Sequence, residues 1–447
     1  MGLRIGSSKV SAIIKSPTKE RGRFWFRVVD YDGTILQEAW LNKGDKVKLV
    51  APPTHEGLVF QEWSSPVVIT NNEITMPNSD VTIGPTYTTS SGLSEFYITL
   101  TAATGLSMTL NIDGTKDWGD GTIDTSKTHT YASVGDYKIT CDGSTMDTCT
   151  SSSNLFGVAG DYKVTRVHLK SFSSIPSYCF YQCLSLKALT IAKGPTSIGS
   201  SIVYSCGRLE ALILPSTVTS LAASAITFTY QLHYLVLPLG VTTLGNEALR
   251  YLYGLNSICL PESITSVGTS VMQDCYALRG ITIPSSITTV PSAFTRKCTN
   301  LEYAIIEGNV TLGGYNFYDC CALSSLEVNG SIQGLGGYSF YKCFHLSSVE
   351  LTGNITSIGS MDFAYTGGIE SYKLPGTVTN IAASAFVSNI SVMEYDFTSC
   401  KAVPTLANVN AFSGINGLCR IKVPASLEAE WKAATNWSTL ASQIVGV

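Results

Sequence analysis

The chain has 447 residues, 44% hydrophobic and only 14% charged, with a formal net charge of −4 at pH 7. Such a composition can bury a core, which excludes wholesale disorder, and it holds no basic patch with interleaved aromatics of the kind nucleic acid requires. No apolar run reaches the roughly 18 residues of a membrane-spanning helix, and 39 glycines and 22 tyrosines point to turns and strands.

Residues 1–19 read as a strand-like arm. Gly2-Leu3-Arg4-Ile5-Gly6 lacks the apolar stretch and small-residue cleavage site of a signal peptide. Similar openings occur on tail and other virion proteins of phages and prophages. A short arm can add a strand to another chain, so other virion subunits are one expected partner; the alternative is a frayed terminus.

Residues 20–88 read as a small all-β module. Phe26-Arg27-Val28-Val29 runs into Asp32-Gly33, Gly44-Asp45 precedes Val47, and Val59-Phe60-Gln61-Glu62-Trp63 and Val81-Thr82-Ile83 come after. Alternating strands split by such turns argue for hairpins. These pieces, in this order, resemble the β-rich repeats of internalin B-type surface proteins. Residues 89–143 hold Asp117-Trp118-Gly119-Asp120-Gly121-Thr122 and, downstream, His129-Thr130-Tyr131 with Gly135-Asp136-Tyr137. This resembles the signature of PKD-type β-sandwiches, in a module short enough to serve instead as a cap on its C-terminal neighbour. Asp117 and Asp120 either hydrogen-bond their own turn or hold calcium. Residues 144–160, rich in Ser and Thr, read as a connector.

A repeat occupies residues 161–417. Units open at Leu186, Leu209, Leu232, Leu255, Leu278, Leu301, Leu323, Leu346, Ile369 and Val392, with a period of 23 residues and one step of 22. Each begins L-x-x-L-x-L, a short strand with one face buried. Proline often stops it, as at Pro215, Pro238, Pro261, Pro284 and Pro375. A V-T-x-I-G step comes next, its Gly expected to supply positive φ at a corner. Deeper in each unit a large apolar residue recurs, and Phe294, Phe317, Phe340, Phe363 and Phe386 are expected to form the spine of the core. Cys183, Cys206, Cys275, Cys298, Cys320 and Cys343 share one register, which Thr229, Leu252, Thr366 and Asn389 fill elsewhere. That register reads as an inward corner holding small side chains rather than a metal site or disulfide framework, and the adjacent Cys320 and Cys321 should face different sides. The pattern L-x-x-L-x-L-P-x-x-V-T-x-I-G-x-x-A-F-x-x-C, legible at 278–300 and 369–391, resembles BspA-type leucine-rich repeats of bacterial surface proteins. The fold expected is mainly β: a leucine-rich-repeat solenoid of 23-residue period preceded by two small all-β modules. Residues 418–447 read as a last strand and a short helix whose Trp431 and Trp437 cap the open core.

No catalytic constellation stands out. The five histidines, His55, His129, His168, His233 and His345, lie in no metal motif, and no nucleophile elbow, P-loop or dinucleotide fingerprint occurs. No enzyme, cofactor or resident metal is expected. Side chains three and five of each unit should point outward from the strands. They are apolar or tyrosine in the first half and charged later, so Ile213, Tyr234, Val236, Tyr303, Ile305, Glu327 and Glu350 are candidate ligand-binding residues. Glu327 and Glu350 either splay into water or are offset by a cation or a basic partner. The resemblance implies adhesion or receptor binding on a bacterial surface or phage virion, with a host or cell-surface protein or glycan as partner. The alternative is a decoration protein that contacts only other particle subunits.

Overall fold

The computed structural model describes residues 4–5, 23–158, 160 and 162–447, so most of the N-terminal arm lies outside the described residues. Contacts divide the chain into two compact units, residues 1–266 and 267–447.

The first unit opens with a five-stranded sheet. Its strands are β1 (Arg4–Ile5), β2 (Arg23–Val29), β3 (Ile35–Asn42), β5 (Leu58–Ser64) and β7 (Val81–Thr89), ordered β1-β3-β2-β7-β5; β4 (Lys46–Lys48) and β6 (Glu73–Thr75) form a separate ladder. The β2–β3 hairpin turns where expected: Gly33 takes φ +87°, and the Thr34 amide donates to the Asp32 carboxylate at 3.0 Å. The described part of the arm, β1, pairs antiparallel with β3 of its own chain. In β2 Phe24, Phe26 and Val28 are buried on one face, and Arg27 and Val29 on the other, so the second half of the strand is covered on both sides.

A second sheet joins the next module to the repeats. Strand β8 (Ser94–Leu100) pairs antiparallel with Gly135–Cys141 on one side and with Val164–Leu169 on the other. Val164–Leu169 in turn pairs parallel with Ala188–Ile191. The sheet therefore runs without a break into the first repeat strands and covers the open end of their core. Segment 144–158 is built into that end. Leu155 is fully buried, its amide donates to the Cys179 carbonyl at 2.9 Å, and the Asn154 side-chain amide donates to the Tyr181 carbonyl at 2.8 Å.

Within each unit the repeats are coils stacked by parallel pairing. In the first, Ala211–Ile213 pairs with Tyr234–Val236, and a second ladder of short strands runs Ser197–Ile198, Ser220–Leu221, Thr243–Leu244. In the second unit the main rows are Gly280–Ile283, Tyr303–Ile306, Ser325–Val328 and then Ser371–Lys373, Glu394–Asp396, Arg420–Val423, Ile444–Gly446. The threonine of the V-T step donates to its counterpart one coil back: Thr219 to Thr196 at 3.0 Å, Thr242 to Thr219 at 3.2 Å, Thr379 to Thr356 at 3.1 Å.

The glycines of the I-G step do not supply positive φ, contrary to expectation. They let one coil approach the last. A Cβ on Gly199 would lie 2.7 Å from the Ser177 nitrogen, one on Gly245 2.6 Å from the Ala222 carbonyl carbon, and one on Gly313 2.8 Å from the Ser292 nitrogen. The left-handed backbone falls two residues later and again four beyond that, on non-glycine residues: Ser201 and Ser205, Ser224 and Phe228, Glu247 and Tyr251, Tyr315 and Asp319, Tyr338 and Lys342. These turns aim amides at the neighbouring coil, as in Ser205 to Thr227 (3.0 Å) and Asp319 to Tyr341 (2.8 Å).

The spine is buried, with Phe317, Phe340, Phe363 and Phe386 stacked at 5.4, 5.4 and 5.6 Å. Phe294 is buried too, but one place early. Its carbonyl accepts from Met272, whereas Thr295 makes the backbone bond that Phe317 makes in the next coil, so Thr295 stands in the spine. The cysteine corner has a specific partner. The thiol donates to the spine carbonyl of the preceding coil: Cys206 to Phe180 (3.0 Å), Cys298 to Met272, Cys320 to Thr295 and Cys343 to Phe317 (each 3.2 Å). All thirteen cysteines are free; Cys320 is buried while Cys321 is half-buried. The Thr366 hydroxyl at the same corner lies instead 2.9 Å from the Phe363 carbonyl of its own coil and 3.0 Å from the Asn389 side-chain oxygen, and has one proton to share between them. At the C-terminus Trp431 and Trp437 are fully buried against Phe397 and Phe412, and the Trp437 indole donates to the Pro404 carbonyl at 2.8 Å.

This packing has two measurable consequences. Phe340→Ala should destabilise the second unit by about 3–5 kcal/mol in urea titration, while Cys343→Thr, which keeps a short donor at the corner, should cost less than about 1.5 kcal/mol; equal losses would refute the distinction. His168 sits buried between the Tyr31 and Tyr97 rings, its Nδ1 2.9 Å from the Thr190 hydroxyl, and desolvation, with Arg166 nearby, pushes its pKa down to about 3. Between pH 6.5 and that value the unfolded chain takes up a proton that the fold refuses. Stability is therefore full above pH 6.5 and should fall by up to about 1.4 kcal/mol per pH unit below it. His168→Gln should flatten that slope in denaturation measured across this range.

Candidate recognition surface

The outward face of the strands was the expected binding surface, and in the first unit it is already occupied. Strands β5 and β7 lie on it. The Ser64 hydroxyl donates to the Leu214 carbonyl at 2.5 Å, the Leu239 amide to the Ser65 carbonyl at 2.7 Å, and the Ser216 amide to Glu62 at 3.0 Å; Lys193 pairs with Glu62 at 2.6 Å. Gly84 rests on Ile213, and a Cβ there would fall 2.3 Å from the Ile213 Cδ1. Ile213 is left 4% exposed and Val236 1%.

Arg27 reaches the same face. It is buried, its guanidinium lies 3.3 Å from the centre of the Trp25 ring, and it donates to Asn256 (3.2 Å) and Ser257 (3.1 Å). Tyr234 lies 5.8 Å from it and is half-buried; desolvation raises its hydroxyl pKa, and Arg27 offsets part of that rise. The stripe at Ile213, Tyr234 and Val236 is thus an interface within the chain, which leaves no open apolar face there for a ligand.

In the second unit Tyr303 is half-buried across Gly280, where a Cβ would sit 1.9 Å from the ring, and Ile305 is buried. Glu327 and Glu350 are exposed. The Asn329 amide donates to both Glu307 and Glu327 at 3.1 Å, which ties these two carboxylates to one side chain. Farther along, Glu394 pairs with Lys422 at 2.8 Å.

A different surface emerges on the turn edge of the coils. In the first unit Tyr181, Tyr204, Phe228 and Tyr251 stack in series with ring centres 4.7, 4.8 and 4.2 Å apart, and Tyr230 stacks on Tyr253 at 5.1 Å. In the second unit two stacks run side by side: Tyr315 on Tyr338 and Tyr318 on Tyr341, both at 4.8 Å. Arg296 lies 5.6 Å from the Tyr315 ring and 5.1 Å from Tyr318, and Lys342 lies 5.4 Å from Tyr341. Tyr230 is 53% exposed, Tyr315 39% and Tyr365 37%. The ring faces are largely spent on one another, so the edge presents ring rims and phenol hydroxyls at coil spacing. Sequence reasoning missed this surface because the rings sit at several registers; only the left-handed turns bring them into rows.

The remaining polar candidates have local roles. The Gly119 amide donates to Asp117 (2.9 Å) and the Thr122 amide to Asp120 (3.0 Å), the turn bonding expected of those residues. Asp120 also pairs with His129 at 2.7 Å. His233 and His345 bond to the backbone carbonyls of Gly254 and Cys321. Among the described residues no cluster of His, Cys, Asp and Glu is placed to hold a metal ion, and no helix is long and apolar enough to cross a membrane.

A family model described as the BspA type leucine rich repeat region matches the chain in six copies, over residues 173–302, 278–393 and 310–429. No curated protein is significantly similar in sequence. Among solved structures, the chain is similar to a leucine-rich repeat protein of Bacteroides ovatus ATCC 8483, at 18% identity over 64% of this chain and 88% of that one, with a TM-score of 0.32. It is similar to a leucine rich cell surface protein of Faecalibacterium prausnitzii A2-165, at 18% identity over 64% and 88%, TM-score 0.34. It is also similar to the pneumococcal vaccine antigen PcpA, at 16% identity over 65% and 84%, TM-score 0.40.

The covered face makes a measurable prediction. Gly84→Ala should destabilise the first unit by about 1–3 kcal/mol, and adding Ile213→Ala should recover part of that loss because the two side chains compete for one space. Strictly additive losses in the double-mutant cycle would show that β7 does not press on this strand.

Proposed function

The chain belongs to the BspA-type leucine-rich-repeat family, matched from residue 173 to 429 and so over more than half its length, and from that premise we propose that it is a non-catalytic recognition protein displayed outside the cell, engaging a host or cell-surface protein or glycan through the tyrosine-lined turn edge. The observation that carries this reading is the half-exposed double stack of Tyr315, Tyr318, Tyr338 and Tyr341 with Arg296 against it. Tyrosine and arginine supply large contact area and directional hydrogen bonds at low entropic cost, which is why they dominate binding hot spots. Stacking holds the rings in place before any partner arrives, so little order is left to impose on binding. The acidic strand face, with Glu327 and Glu350, is the competing surface on the same unit.

Binding of the labelled full chain to panels of epithelial and bacterial cells, read by flow cytometry, tests the assignment. Tyr315→Ser/Tyr338→Ser combined with Tyr318→Ser/Tyr341→Ser should weaken binding at least about tenfold. Tyr303→Ala/Glu327→Gln/Glu350→Gln should leave it unchanged. The reverse pattern, with both variants melting like the parent, returns recognition to the strand face.

One observation favours display on a virion rather than export as a single chain. Thirteen cysteines stand unpaired, several in register on neighbouring coils. Folding in a reducing compartment before particle assembly keeps such thiols from mispairing. Mass spectrometry of purified phage particles beside surface-shaved cells discriminates the two: recovery in particles supports the virion, and recovery only from cell surfaces excludes it.

A further inference from the structure

The turn edge of the first unit ends in an open aromatic face. Gly207, Tyr230 and Tyr253 occupy one column, each a coil apart. Tyr253 covers one side of Tyr230 at 5.1 Å and an interplanar angle of 23°. On the other side the column holds Gly207. Neither sterics nor backbone demands glycine there: its φ is not positive, and a Cβ would meet the Tyr230 Cδ2 at an ordinary 3.6 Å. What glycine does is leave the ring uncovered, and Tyr230 is 53% exposed.

The coil that carries Gly207 also carries a phenol and a guanidinium. Tyr204, in the adjoining row 4.8 Å from Phe228, has no hydrogen bond on its hydroxyl among the described residues. Arg208, next to the glycine, is exposed and carries no ion pair or side-chain hydrogen bond among the described residues. The nearest acid in sequence, Glu210, lies against Gly33 of the β module.

We propose that Tyr230, with Gly207, Arg208 and Tyr204, forms a binding site for an acidic sugar residue, a pyranose bearing a carboxylate. The apolar C–H face of a pyranose fits flat on an open tyrosine ring, the gap above Gly207 gives it room, and the planar guanidinium of Arg208 receives the carboxylate in a two-pronged ion pair. A neutral sugar gains the stacking alone. A protein side chain would not need the flat vacancy that glycine leaves. The inference rests on the turn-edge reading above and names a ligand class for it.

Two sources share this chemistry, sialic acid and hexuronic acid, and the test separates them. The full chain is titrated by ligand-observed NMR and calorimetry with N-acetylneuraminic acid, methyl glucuronide and methyl glucoside. One or both acids should bind at least about tenfold more tightly than the glucoside. Tyr230→Ala should weaken acid binding at least tenfold. Gly207→Tyr, which extends a column that already holds tyrosines, should do the same while melting like the parent. Arg208→Gln should erase the preference for acid and leave glucoside binding as it was. Absence of binding to either acid at millimolar concentration, or Gly207→Tyr binding like the parent, overturns the proposal. Cell binding that survives Gly207→Tyr but is lost with the Tyr315/Tyr338 variant leaves the turn-edge reading standing and rejects only the acidic sugar.

Discussion

One constraint governs this molecule: a single coil of some 23 residues can satisfy neither its core nor its backbone alone. Its strand amides need the carbonyls of the next coil, and its spine residue needs the next spine residue to exclude water. The close approach at Gly199 and Gly245, the threonine ladder and the thiol bonds to spine carbonyls all serve that one contact. Each lets a coil sit close on its neighbour without leaving a polar group unpaired. The corner accepts cysteine or threonine because both are small; cysteine reaches the spine carbonyl of the preceding coil, whereas Thr366 bonds within its own coil. Leu252 in the same register shows that the donor is replaceable where packing suffices.

Ends and faces then become the problem to solve. Stacking leaves an open core at both termini and an exposed strand face along the side. The N-terminal end is closed by extending the sheet through β8 and Val164–Leu169 rather than by a separate cap, and the C-terminal end by two buried tryptophans. The apolar strand face of the first unit is closed by β5 and β7, with Gly84 and Arg27 fitted to it. A buried arginine is tolerable there because Asn256 and Ser257 accept from it and Trp25 stacks on it. Apolar residues at positions that ought to face water therefore recorded an internal partner.

That explains the division between what was legible in the amino-acid pattern and what was not. Coil period, strand positions, the phenylalanine column and the tryptophan cap depend on local spacing, and spacing survives in the sequence. The single displaced spine residue, Phe294, shows the limit. A pattern aligned on the A-F pair puts the ring in the spine, but the left-handed residue at Ala293 counts two forward to Thr295. The covered strand face was illegible for a stronger reason, since it joins residues more than a hundred positions apart. Its trace in the sequence was slight: Gly84-Pro85 in the middle of a strand buried at almost every position, a combination poorly suited to a strand with one side in water.

The turn edge raises a question of energy that bears on its role. Left-handed backbone costs a non-glycine residue about 1–2 kcal/mol, and glycine would remove that cost. Yet Phe228, Tyr251, Tyr315, Tyr338 and Tyr365 all stand in that conformation. Stacking returns about 0.5–1.5 kcal/mol per aromatic pair, which at most offsets the strain. The fold gains little net stability from large aromatic rings at these places, and serine or alanine fills the same turns at Ser224, Ser270 and Ala293. Rings held half-exposed at a strained position, for no clear gain in stability, are better explained by what they meet outside the coil than by what they do within it.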